Sequence, residues 1–78
     1  MSNCISLLTD FGADSPYVAQ MKGAILSIAP NVNVVDVTHS IGAQDVLHGA
    51  IVLADSAFHF PLDTIHVAVV DPGVGTQR

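Results

Sequence analysis

The feature that most constrains the fold of this chain is an alternation of short apolar runs with longer segments of helical period. The short runs cover residues 4–9, 33–38 and 65–70 and are nearly continuous. Such runs are typical of parallel strands that are covered on both faces. Because parallel strands are joined by long crossovers, usually helices, the alternation predicts an α/β fold with the element order βαβαβ.

Each segment between the runs carries a helical pattern with recognisable end signals. Ser15 can cap a first helix that begins at Pro16, where a missing N–H costs nothing, and Pro30 stops it, so this helix is predicted over residues 16–29. A second helix is predicted over residues 43–59. The predicted apolar stripes are Val18, Met21, Ile25 and Ile28 on the first helix, and Val46, Ala50, Leu53, Ala57 and Phe58 on the second.

The composition excludes several classes of partner. Seven acidic and two basic side chains give a formal net charge of −5, so the basic face that binds nucleic acid is missing. No apolar run reaches the roughly 20 residues of a membrane helix, and the N-terminus lacks the positive region of a secretory signal. Cys4 is the only cysteine, which favours a reducing compartment. We therefore expect a cytoplasmic protein that binds neither membranes nor nucleic acid.

The chain is short for an independent α/β domain. A domain of this size buries only roughly 60% of its unfolded surface, and a sheet of three parallel strands leaves two edges open. We expect residues 1–78 to be the front portion of a larger domain, without a second domain.

Polar residues follow all three predicted strands, at the edge where open α/β sheets bind ligands. These clusters are residues 9–12, 36–39 and 71–76. Asp10 could accept hydrogen bonds from a vicinal diol such as a ribose, or could form an Asx-turn or helix cap. Asp71 and Arg78 could polarise or anchor a water molecule, or form a structural salt bridge.

The four histidines, His39, His48, His59 and His66, match no zinc-binding spacing, so no metal site is predicted. His48 and His59 fall within the second predicted helix, and His66 is expected to be packed or hydrogen-bonded within a strand. The glycines near the end of the chain match neither a Walker loop nor the dinucleotide fingerprint, so they do not indicate phosphate binding.

Five stretches, LLTDFG, YVAQMKGAILSIAP, VVDVTHSI, QDVLHGA and VVDPGVGTQR, have the order and spacing of one family. In them the chain resembles the N-terminal part of the S-adenosyl-L-methionine (SAM) hydrolases, or SAM hydroxide adenosyltransferases. That family also includes SAM-dependent fluorinases and chlorinases. The resemblance implies a Rossmann-like N-terminal domain, a C-terminal β-barrel domain that lies outside this chain, and a homotrimer whose substrate sits between subunits.

The resemblance also implies the reaction and the roles of three residues. Water attacks the ribose C5′ of SAM, which yields adenosine and L-methionine without a cofactor. Asp10 matches the aspartate that holds the ribose hydroxyls. Asp71 and Arg78 match two members of an Asp-Arg-His set that positions the attacking water, and the histidine of that set is expected well beyond Arg78. Residues 1–78 by themselves are therefore expected to be inactive.

Some positions bear on the branch of the family. The halogenases are expected to carry tyrosine at the position of Asp71 and tryptophan at that of Gln44, so water is the expected nucleophile. Hydrolases usually have an aspartate where this chain has Ser15, and Asp14 lies one place earlier. Two alternatives stay open: a non-catalytic adenosine-binding or assembly module, and a SAM-dependent halogenase.

Overall fold

The structure is a computed structural model that describes residues 3–72. Its elements are β1 (Cys4–Thr9), α1 (Pro16–Ile28), β2 (Asn33–Thr38), α2 (Val46–Ala57) and β3 (Ile65–Val69). β1 pairs in parallel with both β2 and β3, so the sheet order is β2-β1-β3. The predicted parallel βαβαβ arrangement is confirmed.

In this sheet order, the direction in which successive crossovers move across the sheet reverses between β1 and β3. The first crossover moves from β1 to β2 on one side, and the second passes back over β1 to β3 on the other. Because parallel crossovers are right-handed, two crossovers in opposite directions put their helices on opposite faces of the sheet. The carboxyl ends of β1 and β3 therefore form a topological switch point, where doubly wound sheets bind their ligands.

Side-chain contacts agree with one helix on each face. Consecutive strand residues point to opposite faces. Lys22 of α1 binds Asp36, which is the register partner of Leu7 in β1. On α2, a methyl group added to Gly49 would lie 3.7 Å from Leu8. Leu7 thus belongs to the α1 face and Leu8 to the α2 face.

The core is centred on β1, because this strand is paired on both sides and covered on both faces. Leu7 and Leu8 are fully buried, and so are the polar Ser6 and Thr9. Ser6 satisfies its hydroxyl with His66 of β3, its register partner, with 2.6 Å between Oγ and Nδ1. This confirms that His66 is hydrogen-bonded within a strand. A buried polar group without such a partner costs roughly 1–3 kcal/mol.

The first helix begins as predicted and ends one residue earlier. Ser15 is the N-cap, and its hydroxyl accepts a hydrogen bond from the Tyr17 N–H at 3.1 Å. The last helical residue is Ile28, followed by Ala29 as C-cap. Ile28 was predicted to lie on the apolar stripe, but it is 87% exposed among the described residues.

The second helix is shorter than the predicted 43–59. Gln44 has a φ of 65°, in the left-handed region, so a right-handed helix cannot pass through it. Asp45 caps the helix instead, accepting a hydrogen bond from the His48 N–H at 3.0 Å. At the other end, His59 lies beyond the last helical residue Ala57, which corrects its predicted place in the helix.

The predicted apolar stripe of α2 is also partly wrong. Val46 is 49% exposed and Phe58 is 91% exposed, whereas Gly49 is buried against the sheet. Absence of a side chain lets Gly49 approach Val70 closely; a methyl group there would meet Val70 Cγ2 at 3.0 Å. The close approach of the α2 backbone to the sheet at Gly49 therefore decides which face of α2 is buried. The spacing of hydrophobic residues does not show such an approach.

β3 ends at Val69, one residue before the predicted limit. Within residues 3–72, neither helix is long and apolar enough to cross a membrane. Cys4 is a free, half-buried thiol.

Candidate functional site

The carboxylate of Asp10 lies at the switch point and joins the ends of β1 and β3. The Asp10 N–H donates to the Val69 carbonyl at 3.2 Å, which extends the pairing of the two strands by one residue. The Asp71 N–H then donates to Asp10 Oδ2 at 3.1 Å. Two of the predicted site residues, 61 positions apart in sequence, are therefore brought together.

The structure removes one of the interpretations of Asp10 that the sequence left open, the helix cap, and ribose binding by Asp10 stays a prediction. The cap of α1 is Ser15, so Asp10 is not needed for that purpose. An ionised carboxylate accepts about four hydrogen bonds, and the Asp71 N–H occupies one of these positions. Asp10 is half-buried at the edge of the sheet, where its remaining lone pairs can accept hydrogen bonds from a ligand.

The loop after Asp10 turns sharply towards β2. Gly12 has a φ of 97°, a conformation that L side chains rarely adopt, and its N–H donates to the His39 carbonyl at 2.8 Å. The Gly12 carbonyl accepts from the Ser15 N–H at 3.1 Å, which leads the chain into α1. The glycine of the TDFG motif is thus required by backbone geometry.

Ser15 stands where the resemblance leads one to expect an aspartate. Its hydroxyl is engaged by the helix cap, and Asp14 is exposed on the same loop. Phe11 packs edge-on against Tyr17 with 6.3 Å between ring centroids, which helps to hold the loop against α1. The structure therefore gives Ser15 a capping role.

Behind the Asp10 loop lies a chain of four side chains, which we call the His39 relay: Lys22, Asp36, His39 and Thr9. His39 Nδ1 is 2.7 Å from Thr9 Oγ1, and His39 Nε2 is 2.8 Å from Asp36 Oδ1. The other oxygen of Asp36 accepts from Lys22 Nζ at 2.6 Å. The relay connects α1, β2 and the end of β1.

Hydrogen-bond chemistry fixes the direction of the relay. An ionised Asp36 can only accept, so His39 Nε2 must carry a proton. In the neutral imidazole, Nδ1 then accepts the hydroxyl proton of Thr9. This leaves Thr9 Oγ1 able to accept a further bond, and the Phe11 N–H donates to it at 3.2 Å.

The order hydroxyl, imidazole, carboxylate resembles that of a nucleophilic triad, but Thr9 is fully buried and His39 is 7% exposed. A substrate cannot reach this hydroxyl. Sequence reasoning considered His39 with the other histidines for a metal site and missed the relay. The signal available was Asp36 three positions before His39 at the end of a strand.

The environment of Asp36 favours its charged form. Burial by itself raises the pKa of the Asp36 carboxyl. The hydrogen bonds from Lys22 and His39, together with the positive charge of Lys22 and, when the imidazole is protonated, of His39, outweigh burial and bring the pKa of Asp36 below its usual value. The side chain is 39% exposed, so solvent screens part of this interaction.

Two further predictions from the sequence concern Arg78 and a metal site. Arg78 lies outside the described residues, so its pairing with Asp71 stays a prediction. Within residues 3–72, the described acidic, histidine and cysteine side chains form no group of three or more that could hold a metal ion.

An open groove of about 240 Å³ lies between α2 and the sheet. Its lining is apolar and consists of Leu8, Val46, Gly49, Ala50, Leu53, Ala68 and Val70. Binding sites orient their ligands with a few placed polar groups, and this lining has no polar side chain. The polar site at the switch point, rather than the groove, is therefore the candidate functional site.

Comparison with known proteins connects this site to one family. The domain model of the SAM hydroxide adenosyltransferase N-terminal domain matches residues 5–78. A protein of Salinispora arenicola named (R)-S-adenosyl-L-methionine hydrolase is 47% identical over 74 residues, which are 95% of this chain and 28% of that protein. A fluorinase of an Actinoplanes species is 40% identical over 72 residues, which are 92% of this chain and 24% of that protein.

A solved structure has the same fold. The crystal structure of an uncharacterized conserved protein from Thermotoga maritima matches with a TM-score of 0.85 and 39% sequence identity, over 95% of this chain and 28% of that one. The present chain thus spans less than a third of the length of each of these three proteins. With nearly all of its residues matched in sequence, this chain belongs to the SAM hydroxide adenosyltransferase family.

Proposed function

We propose that the protein carrying this chain hydrolyses SAM to adenosine and L-methionine by attack of water at the ribose C5′. The observation that carries the proposal is the hydrogen bond from the Asp71 N–H to Asp10 Oδ2, 3.1 Å long, at the switch point. It brings Asp10, whose carboxylate we propose to bind the ribose diol, next to Asp71, a second residue that carries a carboxylate. The name of the Salinispora relative supports the same reaction.

Asp10 is the proposed ribose-binding residue. Two neighbouring hydroxyls are two donors, and an ionised carboxylate is an acceptor with several lone pairs, so the groups are complementary. Hydrogen bonds to charged groups contribute roughly 1.5–3 kcal/mol. The bond from the Asp71 N–H holds the carboxylate at the end of β1 before the ligand arrives.

Asp71 is the proposed water-orienting residue, with Arg78 as its partner. In this proposal the Asp71 carboxylate accepts a proton of the attacking water, and the Arg78 guanidinium keeps that carboxylate charged. The family resemblance adds a histidine beyond Arg78 to this set.

The chemistry balances without a cofactor. The water oxygen forms a bond to C5′, the C5′–S bond breaks, and its electron pair returns to sulfur. The leaving group is the neutral thioether of methionine, and one water proton is lost to Asp71 or to solvent. Because a sulfonium is already a good leaving group, placing the water in line with the C5′–S bond is the main task of the site.

The substrate is proposed to be the R epimer at the sulfonium, since the Salinispora relative is named for that form. SAM of either configuration presents the same ribose to Asp10, so selection between epimers must come from groups that contact the sulfonium and the methionine. The proposal includes assembly as a homotrimer in the cytoplasm, as the family resemblance implies.

A second candidate is halogenation, because the Actinoplanes fluorinase is 40% identical to this chain. In that reaction a halide ion replaces water at C5′. Asp71 argues for water, because a carboxylate repels a halide at close range and attracts the protons of water. The halogenases are also expected to carry a tyrosine at the position of Asp71.

The test is an assay of the complete protein with each SAM epimer in ¹⁸O-labelled water. Adenosine should form from the R epimer, with the label in its 5′-hydroxyl. Asp71→Ala should reduce adenosine formation far more than SAM binding, because orienting water acts mainly in the transition state. Asp10→Asn should weaken adenosine binding by roughly 1.5–3 kcal/mol in calorimetry.

Asp55→Asn is the matched control, since Asp55 is exposed on α2, away from the switch point. It should leave both binding and turnover unchanged. Unlabelled adenosine, or a 5′-halogenated product dominating at ordinary salt, would contradict the hydrolysis mechanism. Adenosine binding without any turnover by the complete protein would favour the non-catalytic binding module.

A further inference from the structure

The His39 relay holds the backbone immediately after Asp10 at two consecutive positions. The Phe11 N–H donates to the Thr9 hydroxyl at 3.2 Å, and the Gly12 N–H donates to the His39 carbonyl at 2.8 Å. Both anchoring groups belong to the relay. The segment that carries Asp10 is therefore attached to His39, the residue that follows β2.

The relay is well placed to act as a rigid support. Thr9 is fully buried and His39 is 7% exposed, so water does not readily replace their mutual hydrogen bond of 2.7 Å. Buried hydrogen bonds are stronger than exposed ones because the local dielectric constant is low. At its outer end, Asp36 holds the imidazole orientation and is itself held by Lys22.

The relay lies behind Asp10 rather than in the site. Its central side chains are buried, whereas Asp10 is half-buried and Asp71 is exposed at the edge of the sheet. Within residues 3–72, the hydrogen bonds of the relay side chains do not include one to the Asp10 carboxylate. Any influence of the relay on a bound nucleoside must pass through the position of that carboxylate.

We propose that His39, fixed by Thr9 and Asp36, is a positioning residue that sets the place of the Asp10 carboxylate for ribose binding. The proposal rests on the proposed function in assigning the ligand, but the positioning itself can be measured in the free protein. A displaced carboxylate must lengthen its hydrogen bond to the Asp71 N–H, so the Asp71 amide reports on the carboxylate position.

Thr9→Val and Thr9→Ser form the decisive pair. Valine keeps the branched shape and removes the hydroxyl, whereas serine keeps the hydroxyl. In the ¹⁵N-labelled complete protein, Thr9→Val should speed hydrogen exchange of the Asp71 amide by roughly 2- to 12-fold, the equivalent of one hydrogen bond. The amide of Leu7 serves as the reference for global stability, and Thr9→Ser should restore slow exchange at Asp71.

The ligand-bound readout is a double-mutant cycle with adenosine as the probe. Thr9→Val should raise the adenosine Kd by roughly 2- to 12-fold, and Thr9→Ser should return it towards the wild-type value. In an Asp10→Asn background, Thr9→Val should add less than it does alone, because both changes act on the same carboxylate. Independent effects would add.

Several outcomes overturn the proposal. One is a Thr9→Val protein in which the Phe11 amide loses protection while the Asp71 amide does not change; another is full additivity in the cycle. If Thr9→Val does not fold, Asp36→Ala reaches the same imidazole from its partly exposed end and should move the Asp71 amide in the same direction. No change there would also reject the role.

The two proposals fail in different ways. A wild-type protein that does not bind adenosine or SAM contradicts the proposed function. Hydrogen exchange of the Asp71 amide in the Thr9 variants still tests the positioning role in that case. Conversely, normal binding with an Asp71 amide that is insensitive to the relay contradicts only the positioning role.

Discussion

At the scale of single residues, the site depends on carboxylates that differ in their surroundings. Asp10 receives a backbone hydrogen bond at the end of β1, while Asp36 is held between Lys22 and His39. Asp10 is thereby left with acceptor positions for a ligand, whereas both oxygens of Asp36 are used inside the protein. The same type of side chain is thus available for ligand binding at Asp10 and supports the structure at Asp36.

The lowered pKa of Asp36 predicts a pH dependence of stability. A carboxyl with a lower pKa in the folded state stabilises the fold above its unfolded pKa of about 3.9, and this contribution is lost as the pH falls through the folded pKa. The stability advantage of the wild type over Asp36→Asn should therefore be present at neutral pH and shrink below about pH 4. Urea denaturation of both proteins across this range measures it.

Lys22→Gln provides the matched control for this prediction. It removes one of the two partners that lower the pKa of Asp36, so the acid-dependent part of the stability should be smaller than in the wild type and its loss should be complete at a higher pH. An advantage over Asp36→Asn that does not change between neutral and acidic pH would contradict the argument.

At the scale of elements, the connection from β1 to α1 depends on one backbone conformation. Gly12 has a φ of 97° and nothing within 4 Å of an added methyl group, so a substitution there would be strained by backbone geometry alone. Gly23 likewise has open space around it, but it lies inside α1. Because an added methyl group meets no other atom at either glycine, a difference between substitutions at the two positions reports backbone conformation and not packing.

Gly12→Ala should destabilise the fold by about 1–2 kcal/mol, the usual cost of a positive φ for an L side chain. Gly23→Ala should stabilise it by about 0.5–1 kcal/mol, because alanine is the better helix former. Denaturant unfolding of both variants measures the two changes. Equal effects of the same sign would mean that the turn at Gly12 does not require a positive φ.

At the scale of the whole molecule, the described residues leave much apolar surface exposed beside β3. Phe58 is 91% exposed, Leu62 is fully exposed and Ile65 of β3 is 61% exposed. Within residues 3–72, β3 pairs with β1 alone, so its other edge presents unpaired backbone groups. Such an edge favours association with another strand.

We predict that the isolated segment of 78 residues does not turn over SAM. The resemblance assigns a catalytic histidine and one wall of the site to chain beyond Arg78, and a site open to water weakens the fixed charges of Asp10 and Asp71. The segment should be purified, its folding verified by circular dichroism, and adenosine release measured by chromatography. Turnover equal to that of the complete protein would contradict the assignment of the site.

The same sample tests the open edge. Light scattering should detect association of the isolated segment, and Ile65→Lys should reduce it, because a charged side chain on an edge strand opposes pairing. Asp55→Asn, at an exposed position of α2, makes the same change in net charge as Ile65→Lys and should leave association unchanged.

The sequence by itself determined the element order, the Ser15 cap, the parallel strands and the family, because each depends on local periodicity, local end signals or a continuous motif. Polar strand ends were predicted to meet at one edge for the same reason. The apolar face of α2 was predicted only in part, since Gly49 packs against the sheet through its lack of a side chain. Only the tertiary structure decided the order β2-β1-β3 and hence the contact of Asp71 with Asp10, which are 61 positions apart. It alone also decided the His39 relay, which joins Thr9 to a residue 30 positions away, because no local pattern encodes which strands become neighbours.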